Sequence, residues 1–344
     1  MADDASVHDR LLEALLKAPK VSDVLIVARL EDPRIAYDDT KEVRVFIPDF
    51  HLLTKKDEQR YRYGFNGKDR MIGVLKALKS FRKGLATDES LTVYHLGDFV
   101  DLWRQGSDDA TKILGEHFDI FGHLTGSPSA LNVWFLLGNH DLDLADHGGF
   151  RVWNRRYYFP MRDPHALVVH GDVFDWVERF PESFKSLFVY MFGPLRDANA
   201  YEFETLRKVV KQAHGQKQYK QYIQAEDHDI AECISAADEV PDDPFNVTTV
   251  TDPQDTAGHE FLPAAYQSVQ KIKADFGLNL TTVVIGHTHH ARLAVYEGAG
   301  GEFLLLMDCG AWIENYKTPA DTEPKPSAQI GVIAGNDCRI YQIA

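Results

Sequence analysis

Short apolar runs that are rich in β-branched and aromatic residues recur along the chain, and they predict buried strands. These runs span residues 43–47, 91–96, 131–137, 166–169, 281–285 and 303–307. Two more runs, 330–334 and 339–343, flank Gly335-Asn336 and predict a terminal hairpin. Segments with helical periodicity, such as 69–85 and 109–124, separate the early strands. This alternation predicts a layered α/β fold.

Two regions stand apart from this alternation. Residues 1–42 open with an amphipathic helix, which has leucines at positions 11, 12, 15 and 16 and is closed by Pro19. We expect residues 1–42 to be an N-terminal extension packed on the core, and residues 43–344 to form the main domain. The stretch from about 173 to 275 begins with many aromatic residues and predicts a helical cap. Its second part has no Lys or Arg between Lys220 and Lys271, so it is either a loop near a site or a solvated acidic insertion.

Composition narrows the range of functions. The chain has 37 Lys and Arg against 52 Asp and Glu, a formal net charge of -15. Such a chain gains no general attraction to a polyanion, so we expect no nucleic-acid partner. Cys233, Cys309 and Cys338 are far apart and include no CxxC pair, which excludes a disulfide scaffold and favours a reducing compartment. With no apolar run of about 18 residues and no secretory signal, we expect a cytoplasmic protein without a membrane span.

Polar side chains follow five of the predicted strands at the point where each strand ends. In chain order they are Asp49 and His51, Asp98 and Asp101, Asn139 and His140, His170, and His287 and His289. Ligands of open α/β sheets bind beyond the carboxyl ends of the strands, so we expect these side chains to meet at one edge. Carboxylate, amide and imidazole groups together suit a pair of intermediate divalent ions. The sequence therefore predicts a dinuclear metal site.

The order of these motifs resembles the calcineurin-like metallophosphoesterase superfamily over about residues 43–312. The matching motifs are D-x-H at 49–51, G-D-x-x-D at 97–101, G-N-H-D at 138–141, the isolated His170, and G-H-x-H at 286–289. The resemblance implies a four-layer αββα sandwich of two mixed sheets with the metals at the sheet edge. It also makes residues 43–344 a metallophosphoesterase domain that carries the cap insertion at about 173–275.

The resemblance further implies a role for each motif residue. The first metal would be bound by Asp49, His51 and His289, and the second by Asn139, His170 and His287. Asp98 would bridge the two ions, and a metal-bridging hydroxide would attack phosphorus in line. His140 would protonate the leaving oxygen or stabilise the transition state, oriented by Asp101. We expect Mn²⁺ as the ion, with Fe or Zn as alternatives.

The substrate is expected to be a small phosphodiester, diphosphate or phosphomonoester. Runs 95–103 and 170–175 also resemble the UDP-2,3-diacylglucosamine diphosphatases of lipid A synthesis, which carry a helical apolar cap at the same place. A lipid substrate of that kind would bring peripheral membrane contact. That branch has Arg where His140 stands here. The basic and aromatic run near residue 155 offers Arg151, Arg155 and Arg156 as substrate-binding candidates, or else as a surface strand.

Two other classes of function remain as alternatives. A non-catalytic scaffold of the same fold would be marked by lost ligands, and no motif ligand is missing. A nuclease acting on DNA ends would need a basic groove, and the acidic balance argues against one. Leu102 stands where the phosphoprotein branch has Arg, which ranks a nucleotide-type diphosphate or diester above a phosphoprotein. Asp308 stands where the family often has Asn, and we assign it no role.

Overall fold

The computed structural model describes residues 6–35, 41–61, 67–102 except 88, 110–125, 131–144 except 132, 142 and 143, 157–158, 165–174, 247–249, and 261–344 except 299 and 316–324. In chain order the strands are β1 (Val24–Glu31), β2 (Lys41–Ile47), β3 (Glu89–His95), β4 (Trp134–Phe135), β5 (Tyr157–Tyr158), β6 (Ala166–Val169), β7 (Val247–Thr249), β8 (Thr282–Ile285), β9 (Ala291–Glu297), β10 (Phe303–Cys309), β11 (Glu314–Asn315), β12 (Lys325–Pro326), β13 (Gln329–Ala334) and β14 (Asp337–Ile343). The α-helices are α1 (Val7–Leu16), α2 (Lys55–Tyr61), α3 (Lys68–Lys83), α4 (Ala110–Glu116), α5 (Phe118–Leu124) and α6 (Phe261–Phe276), and a 3₁₀ helix spans Asp172–Phe174.

The strands form two six-stranded mixed sheets. The first has the order β1-β14-β13-β2-β3-β4, and the second has the order β5-β6-β8-β10-β9-β7. Within the first sheet β2, β3 and β4 are parallel neighbours, and within the second β6, β8 and β10 are parallel neighbours. The remaining pairs are antiparallel. Strands β11 and β12 form a separate two-stranded ribbon.

Alternation along the strands builds three apolar layers between and outside the sheets. Val45 on β2 packs with α1, α3, α4 and α5, whereas the next residue, Phe46, packs between the two sheets. Leu304 and Leu305 on β10 alternate in the same way between the α6 side and the space between the sheets. Successive side chains of a strand point to opposite faces, so each sheet is covered by helices on one face and by the other sheet on its second face. The predicted four-layer αββα sandwich is confirmed.

The N-terminal helix is part of the first outer layer. Leu11 and Leu15 of α1 are fully buried in the same cluster as Val74 and Leu78 of α3. Ser6 caps the helix by accepting a hydrogen bond of 3.1 Å from the Asp9 N–H. The boundary between residues 1–42 and 43–344 stays a prediction. Most of the predicted insertion lies outside the described residues, at 175–246 and 250–260. Among the described helices, none is long and apolar enough to cross a membrane.

His8 connects α1 to the last strand and gives this contact a pH dependence. Its Nε2–H donates to the Asp337 carbonyl at 3.1 Å, and its Nδ1 accepts from the Tyr341 hydroxyl at 3.0 Å. Burial lowers the pKa of His8, although the hydrogen bond to Asp337 acts in the opposite direction. A histidine whose pKa is lower in the folded state is protonated first in the unfolded chain, so its contribution to stability falls as the pH drops below about 6.5.

We therefore expect His8→Gln to lose less stability on acidification than the wild type. At about pH 8 the variant is less stable, because Gln replaces a well-fitted imidazole; towards about pH 5 the difference in unfolding free energy shrinks, since only the wild type carries the cost of protonating a buried ring. Denaturant unfolding of both proteins across this pH range measures the difference. A constant or widening difference would contradict the expectation.

Candidate metal centre

The carboxyl ends of the parallel strands in both sheets meet at one place. Asp49 and His51 follow β2, and Asp98 and Asp101 follow β3. Asn139 and His140 follow β4, His170 follows β6, and His287 and His289 follow β8. All nine predicted motif residues come together at this place, in contact with one another. Arg151, Arg155 and Arg156 lie outside the described residues.

The first group of ligand atoms consists of Asp49, His51 and His289, whose atoms lie within 4.8 Å of one another. His51 Nε2 and His289 Nε2 are 3.0 Å apart, and His289 Nε2 is 3.3 Å from Asp49 Oδ2. Asp49 is fully buried, and its Oδ1 atom has no hydrogen-bond partner within the described part of the chain. Buried polar atoms are costly without a partner. Two facing imidazole nitrogens beside a buried carboxylate are the donor set of a transition-metal ion, so the residues fit one.

The second group consists of Asp98, His170 and His287. His170 Nε2 lies 3.2 Å from Asp98 Oδ2, 3.2 Å from His287 Nδ1 and 3.1 Å from Asn139 Oδ1. The other ring nitrogen of His170 donates to the Leu96 carbonyl at 2.9 Å. This bond fixes the ring so that Nε2 faces the group, as is usual for a histidine that binds a metal.

Asp98 belongs to the second group and also reaches the first. Its Oδ2 atom is 3.2 Å from His170 Nε2 of the second group and 3.5 Å from His51 Nε2 of the first. Burial alone would raise the pKa of Asp98, but His170 and His140 outweigh it and hold the pKa well below its usual range. Asp98 is therefore a carboxylate anion placed within reach of both ligand groups.

The electrostatics of the cluster favour a positive charge. Burial lowers the pKa of His170, but the carboxylates of Asp98 and Asp49 outweigh this effect and raise the pKa to about 10. For His51, in contrast, burial is the largest effect, and it lowers the pKa to about 4. A cation near His170 is stabilised by two buried carboxylates, and a metal ion there would displace a proton from the imidazole.

Four of the predicted ligands have left-handed backbone. The φ angles are 48° at His51, 49° at Asp98, 67° at His287 and 60° at His289. This region is uncommon for residues other than glycine, and such strain is concentrated at functional sites. Glycines make room beside the carboxylates: a Cβ atom at Gly138 would collide with Asp98 Oδ1. Glycine at position 138, just before Asn139, is thus required by the close approach of the Asp98 carboxylate.

His140 and Asp101 form a pair at the edge of the cluster. His140 Nδ1 is 3.0 Å from Asp101 Oδ1, and the backbone N–H of His140 donates to Asp98 Oδ1 at 2.9 Å. The second oxygen of Asp101 is 3.6 Å from His51 Nδ1. Asp101 is fully buried, while the His140 side chain is 13% exposed. His140 is thus both oriented by a carboxylate and open to solvent.

Asp141 is a structural part of the site to which the sequence analysis gave no role. It is fully buried and accepts hydrogen bonds from the N–H groups of Phe99 at 2.8 Å and Gly138 at 2.7 Å. Burial and the nearby Asp98 raise its pKa to about 7. It joins the loop after β3 to the loop after β4. In the sequence, Asp141 was marked by its place in the G-N-H-D motif. The motif does not reveal which N–H groups its carboxylate binds.

His95, by contrast, lies in the core. Its ring packs edge-on against Phe50, with ring centroids 4.6 Å apart, and stacks on Phe135. Burial lowers its pKa to about 3, so the ring stays neutral.

Comparison with known proteins agrees with this geometry. The sequence model of the calcineurin-like phosphoesterases matches residues 45–291, which is more than two thirds of the chain. Comparison with curated proteins found no match. The matched region contains every residue of the two ligand groups as well as His140 and Asp101. With a family match of this extent on a two-sheet sandwich, the chain belongs to the calcineurin-like phosphoesterase family.

Proposed function

We propose that this protein hydrolyses a phosphoester or diphosphate bond with two divalent metal ions. The observation that carries the proposal is the position of Asp98, whose Oδ2 atom lies within 3.5 Å of a histidine nitrogen in each ligand group. A carboxylate shared between two such groups suits a dinuclear centre. When bound, two ions activate a water molecule near neutral pH and stabilise negative charge on the phosphoryl oxygens.

We assign the ligands by group. The first ion would be held by Asp49, His51 and His289, the second by Asn139, His170 and His287, and Asp98 would be shared. Four histidine nitrogens against two carboxylates and one amide oxygen suit Mn, Fe or Zn better than Mg or Ca, whose ligands are mainly oxygen. We propose Mn²⁺, with Fe or Zn as alternatives.

His140 is the proposed acid. With Nδ1 donating to Asp101 at 3.0 Å, the proton that reaches the leaving oxygen comes from Nε2. The buried carboxylate of Asp101 stabilises the charged imidazolium from which that proton is given. Asp98 helps to position the acid, because its Oδ1 accepts the backbone N–H of His140. Asp101 thus orients the ring and stabilises its charge, and Asp98 holds the backbone beside it.

The substrate proposal is broader than the site proposal. We propose a small phosphodiester, diphosphate or phosphomonoester, in a cytoplasmic protein whose domain spans residues 43–344. A UDP-2,3-diacylglucosamine diphosphatase activity is a second candidate, favoured by the runs at 95–103 and 170–175. A non-catalytic scaffold of the same fold is the alternative without chemistry. The described site keeps every ligand of the motifs, which supports the enzyme over the scaffold.

Hydrolysis of p-nitrophenyl phosphate and bis(p-nitrophenyl) phosphate, side by side, tests the function. With Mn²⁺ we expect turnover of at least one ester, and with a chelator we expect none, because the proposed ligands act only through bound ions. The ratio of the two rates selects the substrate class, and UDP-2,3-diacylglucosamine is assayed in parallel. A protein that binds two ions per chain and cleaves none of the three substrates would favour the scaffold.

A further inference from the structure

Asp308, which the sequence analysis left without a role, lies directly behind the proposed metal centre. It is the sixth residue of β10 and is 1% exposed. In the sheet it lies beside Ile285 of β8 and opposite Arg292 of β9. The loop that joins β8 to β9, residues 286–290, carries His287 and His289. A fully buried carboxylate is therefore placed below the loop that presents two proposed ligands.

The Asp308 carboxylate bonds to this loop through Thr288. Thr288 Oγ1 donates to Asp308 Oδ2, and the same Oγ1 atom accepts the His290 N–H at 3.2 Å. Arg292 Nε lies 3.8 Å from Asp308 Oδ2, which gives the buried carboxylate a counter-charge. Two hydrogen bonds thus hold the Thr288 hydroxyl. Thr288 is the one residue between the ligand histidines His287 and His289 in the sequence.

The loop needs such support because its backbone is strained. His287 and His289, on either side of Thr288, have φ angles of 67° and 60°. Conformations of this kind persist only where the surroundings hold them. His287 has a second support, since its N–H donates to Asp49 Oδ2 at 2.9 Å. His289 is supported through its neighbour Thr288, whose side chain is hydrogen-bonded to Asp308.

The other oxygen of Asp308 reaches the segment that supports Asp49. The Gly310 N–H donates to Asp308 Oδ1 at 3.2 Å. Beyond Gly310, Ala311 forms a parallel bridge with Asp49, and the Trp312 N–H donates to the Asp49 carbonyl at 2.8 Å. One carboxylate therefore contacts the two segments that carry His289 and support Asp49, both from the first ligand group.

We propose that Asp308 is a positioning residue for the first ion, acting through Thr288 on His289 and through Gly310 on Asp49. The proposal rests on the proposed function of the site, since it assigns a support to one of its two ions. It predicts an unequal effect: without the Thr288 bond, the ion held by Asp49, His51 and His289 binds more weakly, while the ion held by Asn139, His170 and His287 changes less.

Titration of chelator-treated protein with Mn²⁺ in a calorimeter tests this proposal without any assay of activity. For Thr288→Val we expect the affinity of one binding step to fall about 10- to 100-fold, the size of effect usual for groups that orient a metal ligand. Val keeps the β-branched shape of Thr at this position and leaves Asp308 and Arg292 in place. Thr288→Ser restores the hydroxyl and is expected to restore the affinity.

Reference variants identify the weakened step. His289→Ala is expected to weaken the same step as Thr288→Val, and His170→Ala the other step. Asp308→Ala is expected to weaken this step at least as much as Thr288→Val, because it also removes the bond from the Gly310 N–H. Adding Thr288→Val to Asp308→Ala then causes no further loss if the threonine acts only through Asp308. Thr282→Val changes a buried threonine at the far end of β8 and serves as the matched control, with unchanged binding.

Four outcomes decide between these interpretations. A step weakened by Thr288→Val and restored by Thr288→Ser supports the positioning role. Full affinity for both ions in Thr288→Val, with wild-type protein that binds Mn²⁺, overturns the positioning role and leaves the proposed function intact. Absence of binding of Mn²⁺, Fe²⁺ and Zn²⁺ alike by the wild type overturns both. A loss of thermal stability in metal-free Thr288→Val with unchanged affinities would mean a purely structural threonine, and it also overturns the proposal.

Discussion

Asp98→Asn is expected to abolish hydrolysis and to lower the metal content of the purified protein. Asp98 Oδ2 is 3.2 Å from His170 Nε2 and 3.5 Å from His51 Nε2, so one atom serves both ligand groups. An amide has no negative charge to share between two cations. Loss of a group that only orients a metal ligand lowers the metal affinity about 10- to 100-fold. Loss of a ligand shared by both ions is expected to lower the affinity further. Metal analysis by mass spectrometry and the hydrolysis assay measure the two effects.

The substitution is suited to this position for a backbone reason. Asp98 has a φ angle of 49°, and Asn is one of the few residues that adopts this region readily, so the variant keeps the local fold. Asp119→Asn, on the surface helix α5, is the matched control and is expected to keep both metal content and turnover. An Asp98→Asn protein with two ions per chain and full turnover would refute the assignment of the bridge.

His140→Ala is expected to reduce kcat while two ions stay bound. Proton transfer by a positioned side chain contributes about 10²- to 10⁴-fold, which sets the expected loss. An acid matters most when the leaving group is a poor one. The loss is therefore expected to be large for an alkyl phosphoester and small for a p-nitrophenyl ester, whose leaving group departs without a proton. Steady-state kinetics on the two esters, with metal analysis of the same samples, tests this.

The comparison separates an acid from a metal ligand. His140 also has a ligand atom in a third set, with His51 and Asp98, whose atoms lie within 4.8 Å of one another. If His140 were a ligand, His140→Ala would lose metal and would slow both esters alike, and that result would overturn the acid role. His123→Ala removes a histidine on α5 that pairs with Lys79 at 2.9 Å, and it is expected to change neither quantity.

Local patterns were sufficient for the strands that build the site. Strands β2, β3, β6 and β8 lie where short apolar runs predicted them, because strands covered on both faces leave an unbroken apolar run. The site residues were found for a related reason: each follows such a run, and parallel neighbours bring their carboxyl ends together. A glycine before a motif residue indicates that another group comes close to the backbone there, and Gly138 beside the Asp98 carboxylate is an example.

Other features depend on partners that are distant in sequence, and local patterns do not reveal them. The predicted helix over 109–124 is two helices that meet at His117, whose ring bonds to the Leu53 carbonyl at 2.8 Å. Among the described residues of the predicted strand over 131–137, Trp134–Phe135 form the strand, at the edge of the first sheet. Strand β9 was not predicted, although Gly298 and Gly301 mark its turn into β10. The link from Asp308 to Thr288 spans 20 residues and follows no periodicity.

The cluster also determines when in folding a bound ion can act. His51 and His289 are in contact but stand 238 residues apart in sequence. Closing so long a loop costs entropy, and the ligands follow strands of both sheets, so the site is completed only once both sheets have formed. Ions that bind only the finished site leave the refolding rate almost unchanged and slow unfolding instead. Metal would then govern how long a folded molecule lasts, and chelation would shorten its lifetime without slowing its formation.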